Sequence, residues 1–154
     1  MSQRERHLAL LVDVPGGVCA FPLDELVETM RPLPIEPLPD VPGFIRGLAI
    51  VRGTPVPVVE LAALLGEGQG TPSRRWVTVR SGARTIALAV PRVIGMAEIS
   101  KEQLAGMPPL LRSGRAELIE AVGTLDQQLM MTLCTARLVP DEVWRMIERG
   151  EAAQ

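Results

Sequence analysis

The sequence has no Tyr, two Phe, two Trp, two Cys and one His, and a single Lys, Lys101, among its 16 basic residues. Each scarcity removes a class of function. Four Phe and Trp rings are too few for a platform on which bases stack, and a net charge of -2 gives no electrostatic footprint for nucleic acid. His7, Cys19 and Cys134 cannot complete an ordinary zinc site without carboxylate help, so no metal and no cofactor are expected. Both Cys lie in apolar runs, where a thiol behaves as a small buried hydrophobe. The longest stretch free of Asp, Glu, Lys and Arg is 10 residues, 14–23 and again 127–136. A spanning helix needs about 20 apolar residues, so no membrane crossing is predicted. The first six residues are polar and carry no signal-peptide pattern, which predicts a cytoplasmic protein.

What is abundant is Gly and Pro, 14 of each, in a chain that is 47% hydrophobic. Short apolar runs punctuated by these two residues predict a mostly β architecture. Strands are expected at 7–14 and 18–21 around Pro15-Gly16-Gly17, then a helical turn at 22–26 and extended chain over 27–31. Five prolines between 32 and 42 make a connector without ladder donors at those positions. Runs 47–51 and 55–59 flank Arg52-Gly53-Thr54 as a hairpin, a short helix follows at 60–65, and Gly-rich residues 66–72 read as a junction.

Past the junction the order returns. Residues 75–80 and 84–90 form a hairpin, 93–99 a further strand, 118–125 and 128–133 a hairpin about Asp126-Gln127, and 135–139 a helical turn. The segment 52–65 overlays 126–139, and the earlier strands overlay with Leu26 on Val93, so the chain repeats its element order. Two five-stranded β subdomains side by side are predicted, about 17–72 and about 73–139, with exchange of the first strand (7–14) between them left open. A C-terminal helix and tail occupy 140–154. Pro140 stands where a first helical residue belongs, Asp141 and Glu142 suit the positive first turn, and Gly150 is the stop. Val143, Trp144 and Ile147 share one face, to be packed on the chain's own strands or laid in a partner's groove.

Three segments together resemble a known family. Phe21-Pro22-Leu23-Asp24-Glu25-Leu26-Val27-Glu28, Pro42-Gly43-Phe44-Ile45-Arg46-Gly47 and Val51-Arg52-Gly53-Thr54-Pro55-Val56-Pro57-Val58-Val59-Glu60-Leu61 look like the recurrent motifs of CheW-type domains, in the same order and spacing. The resemblance runs over about 7–139 and is more specific in its first half. It implies two five-stranded SH3-like barrels, with short helices, and a non-catalytic adaptor that couples methyl-accepting chemoreceptors to the regulatory domain of a CheA-type histidine kinase. Carried over by residue, it implies a receptor- or kinase-binding set of Leu26, Glu28, Ile45, Arg46, Arg52 and Glu60. The departures from the pattern are Ile50 for Asn, Glu60 for Asp, Cys134 for a late Asp, and Pro91-Arg92 for an Asp-Gly pair. They single out Arg92 and Val93 as a second-barrel interface, and they leave open a CheW-like fold redeployed with other partners.

Two rivals remain from the residues alone. Asp24, Glu25, Glu28 and Glu60 would serve acid/base catalysis only if they converged in a concave site. The Met residues at 96, 107, 130 and 131 would serve a small-ligand binder only if they enclosed a cavity.

Overall fold

The computed structural model describes residues 6–66, 73–100, 104–105 and 118–150. The expected junction at 66–72, apart from Gly66, and the segment carrying Met107 lie outside them. Among the described residues eleven strands and two helices follow in chain order: β1 (Arg6–Val14), β2 (Gly17–Pro22), β3 (Leu26–Met30), β4 (Ile45–Val51), β5 (Thr54–Glu60), α1 (Leu61–Leu64), β6 (Arg75–Ser81), β7 (Arg84–Val90), β8 (Arg92–Ser100), β9 (Leu104–Ala105), β10 (Ile119–Leu125), β11 (Gln128–Leu133) and α2 (Asp141–Glu148). Single 3-10 turns cover Leu23–Glu25 and Thr135–Arg137. Pro140 is the residue before the helix rather than its first.

The strands form two sheets of matching order: sheet I runs β8-β1-β2-β11-β10-β9, and sheet II runs β3-β6-β7-β5-β4. Sheet I exceeds the expected five strands only by the two-residue β9. Each sheet has one parallel pair at the same place in its order, β11 with β2 and β5 with β7. The division expected near 72–73 falls inside sheet II, between β5 and β6. The first hairpin, β1–β2, joins β8–β11 instead of its sequence neighbours.

Irregularities repeat along with the strands. A bulge inserts Val27 between Leu26 and Glu28 against β6, and Ile94 at the matching place in β8 against β1. A second pair of bulges inserts Arg46 in β4 and Glu120 in β10. The two hairpin turns Arg52-Gly53 and Asp126-Gln127 have positive φ at both central residues, 53° and 83° in one, 49° and 67° in the other. That is the type I′ turn, whose twist matches that of the flanking strands.

Both faces of the central strands are buried, which explains why β2 and β7 read as nearly continuous apolar runs. In β7 the small residues Ala87 and Ala89 face a cluster with Trp76, Val56 and Val58. Ile86, Leu88 and Val90 face the main core, to which both sheets and α2 contribute through residues such as Phe21, Leu133, Leu138 and Trp144. A third cluster (Ala9, Leu11, Val18, Ala20, Ile99, Met130) belongs to sheet I alone. The face of α2 carrying Val143 and Trp144 packs on the chain itself.

Candidate functional site

The expected site residues fall in three places. At the first, the Arg52 guanidinium donates to both Glu28 carboxylate oxygens, Nε to Oε2 at 3.1 Å and Nη2 to Oε1 at 2.7 Å. Arg52 sits in the turn after β4, and Glu28 lies on β3, and these strands are the opposite edges of sheet II. In a flat five-stranded sheet they would be about 19 Å apart, so the sheet coils until its edges meet across this pair. Neighbouring geometry fixes Glu28. The bulge at Val27 leaves the Glu28 backbone N–H to donate to Thr78 Oγ1 at 3.1 Å, and the Thr78 hydroxyl donates back to the Glu28 carbonyl at 3.2 Å. Hydrogen bonding from Arg52, more than its charge, holds the Glu28 carboxyl below its ordinary value, and Glu28 raises Arg52 in turn.

The bulge also corrects one expectation. Leu26, anticipated as the exposed apolar member, is half-buried against the main core, and Val27 stands 45% exposed in its stead. Val27, Glu28 and Arg52 line an open groove of about 600 Å³ together with Thr54, Pro55 and, from α2, Trp144 and Ile147. Arg84 also lines it. It lies 4.6 Å from the centroid of the Trp144 ring, and its Nη2 is 2.8 Å from Glu148 Oε2. The contribution of α2 and Arg84 to this groove was not visible in the motifs. The signal that could have found it is the arginine and tryptophan content itself, since such residues anchor recognition surfaces.

The second place lies at the far end of the β4–β5 hairpin. Arg46 Nη1 is 3.2 Å from Glu60 Oε1, and the Ser73 hydroxyl donates to the other Glu60 oxygen. Six residues of extended chain, about 20 Å, separate Arg46 from Arg52, so these are distinct surfaces. Ile45 belongs to neither surface. It is 4% exposed and packed in the main core, because the bulge at Arg46 turns the Ile45 side chain inward. Of the carboxylates considered for catalysis, Glu28 is engaged by Arg52 and Glu60 by Arg46, on these separate surfaces.

The third place is the passage from β7 to β8, where the chain crosses from sheet II to sheet I. Arg92 Nη2 lies 3.8 Å from Asp13 Oδ2, and both line a cleft of about 890 Å³ with Val93, Pro91, Pro32, Arg31, Arg74 and Arg75. Of the two Cys, Cys19 is fully buried, which pushes its thiol well up, and Cys134 is half-buried; neither is in a disulfide. The described residues contain no group of three His, Cys, Asp or Glu able to hold a metal ion. None of their helices is long and apolar enough to cross a membrane.

The repeat makes the first place informative. The counterpart of Val27 in sheet I is Ile94, 43% exposed, but Gly95 stands where Glu28 would, and Asp126 where Arg52 would. One of the two equivalent edges carries the charge pair, and the other carries only the apolar bulge.

Comparison with known proteins places this architecture. Chemotaxis protein CheW of Thermotoga maritima is 30% identical over 96 residues, which is 62% of this chain and 64% of that one. Protein FrzA of Myxococcus xanthus is 27% identical over 135 residues, 83% of this chain and 82% of that one. The crystal structure of the scaffolding protein TtCheW from Thermoanaerobacter tengcongensis superposes with a TM-score of 0.73 at 20% identity, covering 82% of this chain and 88% of the other, a likeness of fold. A family model described as the CheW-like domain matches residues 8–143, a span that takes in the Glu28–Arg52 edge, most of both sheets and the first residues of α2. That match spans most of the chain, and the chain therefore belongs to the CheW-like domain family.

Proposed function

We propose that this chain is a non-catalytic adaptor of a chemosensory signalling pathway, holding a methyl-accepting receptor and a CheA-type histidine kinase regulatory domain, or their paralogues, on separate surfaces. The observation that carries the reading is the bidentate Glu28–Arg52 pair on an exposed edge, beside Val27 and a groove of about 600 Å³. An apolar side chain rimmed by opposite charges is a recognition set: burial supplies affinity, and the charges supply register and reject wrong partners. Family membership and the names of the two curated relatives, a chemotaxis protein and FrzA, support the pathway. Arg46 and Glu60, on a separate surface, suit a second docking event, and so does the exposed bulge of sheet I beyond Arg92 and Val93. Holding two partners at once raises the effective concentration of kinase at the receptor, so the adaptor needs no chemistry of its own.

The test is calorimetric titration of the purified chain with a receptor-tip fragment and with the kinase regulatory domain encoded in the same genome. Wild type binds both, and Arg52→Glu keeps its fold but weakens one partner by more than ~1 kcal/mol. Unchanged affinity for both partners would remove Arg52 from the site. A folded wild type that binds neither has redeployed the family fold toward other partners.

A further inference from the structure

The cleft where residues of the two sheets meet has a chemistry of its own. Its walls hold four guanidiniums, Arg31, Arg74, Arg75 and Arg92, against one carboxylate, Asp13, in a chain whose net charge is -2. All four arginines are exposed. Arg92 has Asp13 at the long distance of 3.8 Å, and Arg31, Arg74 and Arg75 have no ion-pair partner among the described residues. The sheet itself brings the like charges together. Met30 pairs with Trp76 in the β3–β6 ladder, so Arg31 and Arg75 are the next residues on adjoining strands. Like charges side by side at a ladder end are destabilising, and the fold keeps them without internal neutralisation.

The floor of the cleft decides what would neutralise them. Pro32, Pro91 and Val93 supply apolar contact. The two prolines fix the backbone next to Arg31 and Arg92. The positive charge comes from side-chain forks rather than from backbone N–H groups gathered at a glycine loop, the arrangement that cradles phosphates. Guanidinium forks match carboxylates in bidentate pairs, and an apolar floor with a charged rim is the anatomy of a protein interface. We propose that this cleft docks a carboxylate-rich segment of a protein partner, one with acidic side chains spaced around an apolar residue. The proposal rests on the adaptor reading only in taking a protein as the occupant.

The probe is a fluorescein-labelled peptide, Glu-Glu-Leu-Glu-Leu-Glu-Glu, read by anisotropy beside its counterpart with every Glu replaced by Gln. At about 20 mM salt the acidic peptide should bind wild type at least about tenfold tighter than the Gln peptide, and lose that advantage near 300 mM, where charges are screened. The Arg31→Glu/Arg75→Glu variant should lose at least about tenfold in affinity, while Arg52→Glu binds the peptide like wild type. Arg74→Glu alone, which touches no described ion pair, should give a smaller loss in the same direction and serves should the double variant fail to fold. Equal binding of both peptides, or unchanged binding to a folded Arg74→Glu variant, would overturn the proposal. Tripolyphosphate bound more tightly than the acidic peptide, with the same arginine dependence, would overturn it too and give the cleft to a phosphate ligand. Neither receptor nor kinase is present in this assay, so its failure and that of the adaptor reading are told apart.

Discussion

Arg52 occupies a left-handed backbone conformation that glycine, asparagine or aspartate fills more readily. Its presence there is explained by what its side chain reaches, both oxygens of Glu28 on the far edge of the sheet. The same pair makes stability depend on pH in a defined sense. The folded carboxyl of Glu28 is held below its ordinary value by the Arg52 hydrogen bonds, so the unfolded chain takes up the proton first as pH falls. The contribution is thus present above the ordinary carboxylate value and lost as pH drops through the lowered folded one. Wild type and Glu28→Gln should differ in urea midpoint at neutral pH and converge as the medium is acidified through the lowered folded value. A gap that persists unchanged in acid would show that Glu28 contributes through packing instead.

Single elements carry consequences that single residues do not. Gly47 in β4 has φ of 140°, and an added Cβ would stand 2.1 Å from the Glu36 carbonyl oxygen and 2.8 Å from its carbon. That carbonyl accepts from the Leu48 N–H at 2.8 Å, the bridge by which the proline-rich connector is pinned to β4. Backbone cannot retreat as a flexible side chain would, so Gly47→Ala should cost more than ~2 kcal/mol in urea unfolding and free the connector to protease. The helix α2 is a wall of the groove as well as a cover on the core. Trp144→Ala should cost roughly 3–5 kcal/mol and also weaken whichever partner Arg52→Glu weakens. Intact partner binding in a folded Trp144→Ala protein would separate α2 from the groove's function.

These elements were unequally legible in the sequence. The helix α2 could be read from its flanking Pro140, its acidic first turn and Gly150, because caps are local chemistry. The strand β7 could be read from the alternation of small Ala87 and Ala89 with large Ile86 and Leu88, since period two is also local. Val27 could not be found, nor Ile45 excluded, because each depends on a bulge, and one inserted residue reverses which face its neighbours take. The crossing of β1 into sheet I could be raised from the sequence but not decided, and that of β2 was hidden, both being fixed by the parallel pairing of β2 with β11, over 100 residues apart.

At the scale of the whole molecule, that crossing decides how the protein comes apart. Had each half of the chain built its own sheet, two units with separate cores would unfold in separate steps. Instead sheet I is assembled from both ends of the chain and sheet II from its middle, and the main core draws on both sheets and α2. Neither sheet can leave without exposing the buried face of the other, so cooperativity should span the molecule. The two Trp residues are well placed to test this. Trp76 lies 2% exposed in the small cluster of sheet II, and Trp144 lies 8% exposed on α2 against the shared core. In Trp76→Phe and Trp144→Phe variants each remaining indole reports one region, and far-UV circular dichroism reports the strands. Within each variant the fluorescence and dichroism transitions in urea should coincide at one midpoint and one slope. An α2 signal lost at lower urea than the strand signal would mean that the helix detaches as a unit, and the groove wall at Trp144 would then be a movable one. Coincident transitions instead make the groove, the Glu28–Arg52 edge and the arginine cleft parts of one cooperative unit, in which a partner bound at any of them stabilises the surfaces offered at the others.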